Sequence, residues 1–445
     1  MSAKPEHTRP HANRSLHPAR QVALAALAGV VGKGQTLEAA LSGRPSFKRL
    51  DARDRAFARA VTTAAIRRAG ALQAALDVLL DKPLPEKAFS ARLILLLGAA
   101  ERLILDTPPH AAVDAWVSVM DASPESRRFK NLANAVLRRV GEKGRGAFKG
   151  SDPLDDLPQW WAERWVDAWG EDTARAMTAA RSGPPPLDLT LKPGVDANQL
   201  ADAIGGAVLP GGTVRRQTIG AVEDLPGYAT GDWWVQDAAA ALPARLLAPR
   251  RGETIADLCA APGGKTMQIA ASGAQTIAVD ASPKRLKRLE DNLARAGLSA
   301  QIAAADAAEW TPEAPLDAVL LDAPCTATGT LRRRPDAVYA KQPGDVASLG
   351  PIQSRLLDAA YAMLKTGGRL VYCVCSLEPE EGEDQIAAFL KRTPEARLDP
   401  VRPEEMPELE EAITAEGAVR TRPDMWADKG GLDGFFIARI VKPAR

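Results

Sequence analysis

The stretch "TIADLCAAPGGKTMQIAASGAQTIAVD", residues 254–280, places a glycine-rich turn and a helix-like segment between two short apolar segments. The apolar segments "TIADLC" and "QTIAVD" are typical of buried strands, and the glycines between them are typical of a strand-to-helix turn. The alternation continues through "AQIAAAD", "DAVLLDAP" and "GRLVYCVC", with helical segments such as "KRLKRLEDNLARAGL" between them. This pattern predicts an α/β domain over residues 231–445, with a parallel sheet covered on both faces and a last strand at "DGFFIARIVK".

The rest of the chain predicts two smaller parts. Residues 19 to about 140 repeat apolar residues at helical spacing, which predicts an all-helical domain over residues 1–145. Residues 141–157 are rich in Gly, Asp, Lys and Pro and predict a linker. "PQWWAERWVDAWGEDTARAMTAA" predicts one helix whose tryptophans pack rather than stack on bases. With the strand-like "LDLTLK" and "TVRRQTI", it predicts a small α+β connector over residues 151–230.

Charge is distributed unevenly along the chain. Residues 1–150 hold 25 Lys and Arg against 13 Asp and Glu, whereas the remainder holds 32 against 43. This asymmetry favours a polyanion such as nucleic acid as the partner of the helical domain, and a solvated basic face is the alternative.

Cysteine and histidine usage restricts the chemistry. The four cysteines are too few and too unevenly spaced for a disulfide framework or a structural zinc site, so we expect a reducing cytoplasm and no metal. No apolar run reaches the ~20 residues that a membrane span needs. All four histidines precede residue 111, so any chemistry in the α/β domain depends on carboxylates, thiols and a cofactor.

Five distinctive elements follow the predicted strands, where the crevice of such a sheet binds its ligands. They are "CAAPGGKT", Asp280, Asp306, "DAPC" and "CVCS". The glycine loop is not a Walker A motif, because Cys259 stands where that motif requires glycine, and it does not match G-x-G-x-x-G. A glycine turn followed by an acid fits nucleoside cofactors in general, with Asp280 accepting from ribose hydroxyls and Asp306 from an adenine amino group. The spacing alone does not choose S-adenosylmethionine over NAD.

The motifs "DLCAAPGGKT", "DAPCTATGTLRRRPD" and "VYCVCSLEPEEGE" resemble those of the RsmB/Nop2/Sun family of RNA cytosine-5 methyltransferases. "LDTPPHAAVDAWVSVM" and "RFKNLANAVLRR" resemble the NusB-like helical domain that opens the RsmB branch of the family, and "WVQDAAAALPARLL" resembles the segment that leads into its catalytic domain. The resemblance covers nearly the whole chain. It implies a Rossmann-like class I methyltransferase domain preceded by a NusB-like RNA-binding domain.

The resemblance also implies roles for individual residues. Cys375 matches the family's nucleophile and Cys325 its release cysteine, while Asp322 would contact the cytosine ring. S-adenosylmethionine would be the cofactor, bound by residues of the glycine loop and by the acids at the strand ends: Cys259, Ala260, Ala261, Pro262, Gly263, Gly264, Lys265, Asp280, Asp306 and Asp322. Without the motif matches, a packing role would be the favoured interpretation of Cys325 and Cys375, since buried cysteine commonly serves as a small apolar residue. Cys373 is expected to pack, with a tuning effect on the nucleophile as the alternative.

A basic segment follows the first cysteine motif and an acidic segment follows the second, and each leads to one further prediction. Arg332, Arg333 and Arg334 follow the first cysteine motif and predict contacts to RNA phosphates, with a solvated basic loop as the alternative. The acidic run "EPEEGED" after the second motif predicts a solvated surface.

The expected function is methyl transfer from S-adenosylmethionine to cytosine C5 of RNA, and the resemblance points to small-subunit (16S) ribosomal RNA. The alternatives are a cytosine-5 methyltransferase of tRNA, an amino-group methyltransferase and a non-catalytic RNA-binding or antitermination-like factor. We expect a monomer.

Overall fold

A computed structural model describes residues 17–217 and 220–444. The chain divides into two compact units, with the boundary between Leu157 and Pro158. Among the described residues, no helix combines the length and apolar character that crossing a bilayer requires. His7 and His11 lie outside the described residues.

The first unit is helical, as the periodicity predicts. Leu27, Leu97 and Trp116 belong to its fully buried core. The buried Glu101 carboxylate accepts hydrogen bonds from Arg20 and from the Trp116 indole, so its charge is paired. The helices are α1 Pro18–Lys33, α2 Leu37–Ser42, α3 Pro45–Lys48, α4 Ala52–Arg67, α5 Ala69–Asp77, α6 Phe89–Leu103, α7 Pro109–Ala122, α8 Lys130–Lys143 and α9 Arg145–Gly150.

The linker predicted over residues 141–157 is wrong. Helix α8 extends into it, α9 follows, and Pro153–Asp156 forms a 3-10 turn. The buried Asp156 accepts from Arg68 Nε at 2.8 Å and from the Ala71 amide at 3.0 Å, which caps the beginning of α5 from a distance. The Gly and Asp residues that predict a flexible connection therefore close the helical core.

The second unit begins with two helices, α10 Gln159–Trp169 and α11 Glu171–Ala179, where the sequence predicts one. Gly170 separates them with a φ of 78°, a conformation that glycine adopts without strain. Trp161 and Trp165 are fully buried, which supports packing as their role.

A small antiparallel sheet follows, in agreement with the predicted α+β pattern. Its strands are β1 Leu187–Leu191, β2 Ala207–Val208, β3 Val214–Arg216 and β4 Trp233–Val235, in the order β2-β3-β1-β4, with helix α12 Ala197–Ile204. It belongs to the same compact unit as the chain that follows. The division of that unit at residue 230 stays a prediction.

The large sheet contains all six strands that the sequence predicts, together with two short strands that it does not. The strands are β5 Thr254–Leu258, β6 Gln275–Asp280, β7 Gln301–Ala304, β8 Leu316–Asp322, β9 Leu364–Val374, β10 Arg397–Leu398, β11 Val419–Thr421 and β12 Phe435–Val441. The helices that accompany them are α13 Ala238–Leu247, α14 Gly264–Ala271, α15 Pro283–Ala296, α16 Ala337–Ala340, α17 Asp345–Ala362 and α18 Glu383–Arg392.

This sheet is mixed rather than purely parallel. Its order is β10-β12-β9-β8-β5-β6-β7, and β12 pairs with β9 in the antiparallel direction. Strands β5 to β9 are parallel, and the direction of winding reverses between β5 and β8. A ligand crevice is expected at the carboxyl ends of these two strands, and the α/β fold class predicted from the sequence is confirmed.

Candidate active site

A cavity of about 660 Å³ lies at the carboxyl ends of β5 and β8. The glycine turn after β5 forms one wall of it. Gly263 has a φ of 105°, and a Cβ atom there would lie 2.9 Å from the Leu289 side chain, so the tight turn requires glycine. Six of the predicted cofactor-binding residues face the cavity, namely Ala260, Ala261, Pro262, Gly264, Lys265 and Asp322. Cys259 and Gly263 do not line the cavity.

Asp257 gives this wall an unpaired acceptor. Its Oδ2 atom accepts from Thr266 Oγ1 at 2.5 Å, whereas its buried Oδ1 atom has no hydrogen-bond partner among the described residues. Burial raises the pKa of Asp257 to about 7. A buried acceptor without a donor fits a polar ligand in the cavity, and a nucleoside cofactor carries such donors.

The acids that end β6 and β7 differ in their surroundings. Asp280 is almost fully buried and accepts from the amides of Ala261 and Ser282 at 3.1 and 2.9 Å. Asp306 accepts from the Ala308 amide and pairs with Arg355 at 3.0 Å, away from the cavity wall. The structure therefore brings Asp280 against the glycine turn and leaves Asp306 at the periphery.

Two of the four thiols meet at the cavity. Asp322 and Cys373 are directly paired on the neighbouring strands β8 and β9, so the residues that follow both strands emerge side by side. The Sγ atoms of Cys325 and Cys375 are 3.5 Å apart. The hydrogen bond with Cys375 and then burial raise the pKa of Cys325 well above its usual range, while Cys375 faces the cavity.

The backbone holds these two thiols in place. The Gly329 amide donates to the Cys375 carbonyl at 3.0 Å, and the Gly434 amide donates to the Gly329 carbonyl at 2.8 Å. A Cβ atom on Gly329 would lie only 1.9 Å from the Gly434 carbonyl oxygen. Close packing of two glycines thus fixes the loop that carries Cys325 against the end of β9.

The other two cysteines are placed differently. Cys373 is fully buried, and its thiol donates to Asp322 Oδ1 at 3.4 Å, which combines packing with a contact to a site residue. Burial raises the pKa of Cys259 to about 12, so this thiol stays protonated at the end of β5. No group of three His, Cys, Asp or Glu side chains in the described ranges could hold a metal ion.

Asp322 lies between the thiols and the glycine turn. Its Oδ2 atom forms an ion pair with Lys265 Nζ at 2.8 Å. Burial works to lower the pKa of Lys265, but the Asp322 charge outweighs it and the pKa is raised, so this lysine stays charged. The Asp322 side chain remains about one-third exposed, which leaves a carboxylate edge for a ligand.

The three predicted RNA-binding arginines do not act alike. Arg332 is buried and its Nη2 atom contacts Asp237 Oδ2 at 2.5 Å, while Nη1 donates to the Gly430 carbonyl at 2.8 Å. The prediction of a phosphate contact is therefore wrong for Arg332, because its guanidinium is enclosed by the protein. Arg333 is partly exposed but pairs with Asp433, and the exposed Arg334 lines the cavity.

The acidic run predicted as a solvated surface is partly buried. Glu378 pairs with Arg164 at 2.7 Å and accepts from the Trp165 indole. Glu381 is fully buried and accepts from the amide and hydroxyl of Thr326. Glu378 is extended and Glu381 ends the short 3-10 turn Pro379–Glu381, so no helical periodicity in the sequence separates these two acids from the exposed Glu380.

Comparison with known proteins agrees with this geometry. Residues 244–441 match the family model described as "16S rRNA methyltransferase RsmB/F", and residues 17–142 match the NusB family. "Ribosomal RNA small subunit methyltransferase B" of Cronobacter sakazakii is 34% identical over 440 residues, which cover 95% of this chain and 98% of that protein. The protein of the same name from Salmonella typhi is also 34% identical, with the same coverage.

Solved structures show the same fold. The protein PH0851 superposes with a TM-score of 0.72 over 96% of this chain and 99% of its own, at 22% identity. A methyltransferase homologue from Pyrococcus horikoshii has a TM-score of 0.54 and 28% identity, and covers 64% of this chain and 95% of its own. From its motifs, its fold and relatives that match 95% of its length, this chain belongs to the RsmB/F family of 16S rRNA methyltransferases, with a NusB-family domain near its beginning.

Proposed function

We propose that the protein methylates carbon C5 of a cytosine in 16S ribosomal RNA, with S-adenosylmethionine as the methyl donor. The observation that carries the proposal is the pair of thiols 3.5 Å apart, of which Cys375 faces the cavity. Methylation of an exocyclic amine requires no thiol nucleophile. Methylation of C5 does, because C5 of cytosine is unreactive until a nucleophile adds to C6.

Cys375 is the nucleophile in this mechanism. Its thiolate adds to C6, the C5–C6 double bond opens, and the electron pair at C5 takes up the methyl group as the bond between that methyl group and the donor's sulfur breaks, with its electron pair left on sulfur. The partly exposed Asp322 carboxylate accepts a hydrogen bond from the exocyclic amine of the cytosine, and the charged Lys265 beside it offsets the negative charge that develops on the ring. The methylated ring is then saturated at C5 and C6 and still bonded to Cys375.

Release of the product assigns a role to Cys325. Once Cys375 is bonded to carbon, the hydrogen bond that chiefly raises the pKa of Cys325 is lost. Cys325 then gives up its proton to solvent and takes the proton from C5. The C5–H electron pair re-forms the double bond, and the Cys375 thiolate leaves.

The donor site is proposed at the glycine turn. When bound, S-adenosylmethionine supplies a methyl group on a sulfonium sulfur. The turn that includes Cys259–Lys265 would approach it through backbone, Asp257 would offer its unpaired oxygen, and Asp280, which accepts from the Ala261 amide of the turn, would accept from ribose hydroxyls. Asp306 follows the next strand and would contribute to the adenine end from the periphery of the site.

Substrate recognition is assigned to basic surfaces. Arg334 and Arg333 lie at the cavity for phosphate contacts, and the helical unit carries the excess of Lys and Arg over acids. The target is a single-stranded or loop cytosine, because the base must leave its stack to reach the thiols. We further propose a cytoplasmic monomer.

A trapping experiment tests the covalent mechanism. The Cys325→Ala variant is incubated with S-adenosylmethionine and 16S ribosomal RNA, and an SDS-stable protein–RNA adduct is expected. The Cys325→Ala, Cys375→Ala double variant is the matched control and is expected to form none. Methylation that persists in Cys375→Ala would contradict the proposed chemistry.

A further inference from the structure

Glu381 is a buried carboxylate that the proposed mechanism does not use. Its side chain is fully enclosed, and its Oε1 atom accepts from the Thr326 amide and from Gln353 Nε2, each at 3.0 Å. Its Oε2 atom accepts from the Thr326 hydroxyl at 2.5 Å. Burying a charge costs several kcal/mol of folding free energy unless hydrogen bonds or an opposite charge compensate it. Glu381 is therefore not a solvated surface residue, and its burial calls for a structural or functional explanation.

The Glu381 network holds the backbone on both sides of Cys325. Thr326 follows Cys325, and its amide and hydroxyl both donate to Glu381. Pro324 precedes Cys325, and its carbonyl accepts from the same Gln353 amide group that donates to Glu381, at 3.0 Å. The short loop therefore cannot shift without breaking a charge-assisted hydrogen bond.

The same residue is tied to the strand that carries Cys375. The Tyr372 hydroxyl, on β9, donates to the Glu381 backbone carbonyl at 2.7 Å. Tyr372 is fully buried and lies three residues before Cys375. Glu381 thus connects the loop of one thiol with the strand of the other.

We propose that Glu381 is a positioning residue that sets Cys325 against Cys375 for the release of the methylated base. The inference rests on the function proposed above, because it concerns the second half of that reaction. Addition of Cys375 to C6 does not require Cys325 to be held at a particular position. Transfer of the C5 proton to Cys325 does require it, because the thiolate has to lie close to that proton.

The charge of Glu381 supports this assignment. It is one of the causes that raise the pKa of Cys325, after the hydrogen bond with Cys375 and burial. It therefore favours the protonated Cys325 before the adduct forms. Cys325 and Cys375 are 3.5 Å apart, and only the loop of Cys325 is bound to the Glu381 carboxylate. This difference supports separate roles for the two thiols.

The test compares Glu381→Gln with Glu380→Gln in the full-length protein. Glutamine keeps the size of Glu381, but it removes the charge and presents a donor group where Thr326 needs an acceptor. Glu380 is adjacent and exposed and pairs with Arg164, outside the network. Melting temperature and S-adenosylmethionine binding by calorimetry establish that each variant is folded.

The readouts are the rate of methyl transfer in a single turnover and the amount of SDS-stable protein–RNA adduct. For Glu381→Gln we expect transfer within about twofold of the unmodified protein, an accumulated adduct, and release slowed roughly tenfold or more, because hydrogen bonds to a buried charged group are lost. The midpoint of the pH profile of the release rate should also move to lower pH, because Glu381→Gln removes a negative charge that contributes to the raised pKa of Cys325. Glu380→Gln should behave like the unmodified protein.

The Cys325→Ala variant in parallel separates two kinds of failure. If Cys325→Ala accumulates the adduct and a folded Glu381→Gln loses transfer and release equally, the positioning role is overturned and the proposed function stands. If Cys325→Ala forms no adduct, the proposed function fails and the inference with it. Should Glu381→Gln not fold, Thr326→Val removes the hydroxyl that donates to Glu381 and that also lies 3.3 Å from Ser376 Oγ, and it keeps the amide donor to Glu381. This variant is expected to accumulate adduct, and its failure to do so would also overturn the inference.

Discussion

Arg332 and Arg334 are two residues apart, yet the structure predicts opposite consequences for their removal. Arg332 is 1% exposed and neutralises Asp237, with Asp433 Oδ1 3.6 Å away. Arg332→Ala leaves the buried Asp237 carboxylate without its charged partner, whereas Asp433 keeps Arg333. Breaking a buried pair in this way costs about 3–5 kcal/mol. Arg334 is exposed, so Arg334→Ala should change stability by less than about 0.5 kcal/mol.

Two measurements on the full-length variants test this contrast. Arg332→Ala should lower the melting temperature by roughly 6 °C or more. Arg334→Ala should melt like the unmodified protein but bind RNA more weakly, with the slope of log affinity against log salt reduced by about one. If Arg332→Ala melts within about 1 °C of the unmodified protein and shows the reduced salt slope instead, the assignment of its guanidinium to the protein interior is refuted.

Three further predictions concern other parts of the site. Burial raises the pKa of Asp257 to about 7 in the folded protein, so its contribution to stability is present below about pH 4 and is lost as pH rises to 7, by roughly 4 kcal/mol at most. Asp257→Asn should therefore flatten the fall in melting temperature between about pH 4 and 7, and an unchanged fall would contradict this. Cys373→Ser should retain methyl transfer and adduct formation in the trapping assay, because Cys373 is buried inside the sheet. Loss of the adduct in a folded variant would contradict a packing role for Cys373. Gly329→Ala should abolish activity in the same assay because its Cβ would lie 1.9 Å from the Gly434 carbonyl, whereas Gly344→Ala, with open space around the added carbon, should have none of this effect.

The strands and the site at their ends could be predicted from the sequence because they depend on local patterns. Apolar runs of strand length alternate with helices, and the order of winding brings the strand ends to one edge. The position of Cys325 beside Cys375 follows from this rule once β8 and β9 are neighbours. The direction of β12 could not be predicted in the same way, because a buried strand has the same apolar pattern whether it pairs in the parallel or the antiparallel direction.

The charged residues could not be placed in this way. Arg332, Glu381 and Asp156 each occur in a polar stretch that predicts a loop, and each is buried against a partner 95, 55 or 85 residues away. Local composition carries no information about such partners. The cost of burying a charge is offset only by groups that the fold brings from elsewhere.

The paired thiols present a problem that the fold resolves through unequal surroundings. Two thiols in contact can exchange roles unless something distinguishes them. Cys375 follows β9 directly and faces the cavity, whereas Cys325 lies in a loop whose neighbouring amide donates to the buried carboxylate of Glu381. The hydrogen bond with Cys375, burial and then the Glu381 charge raise the pKa of Cys325, so its surroundings favour the protonated thiol. In the proposed mechanism, this difference leaves the attack on C6 to Cys375, which faces the cavity, and the release step to Cys325.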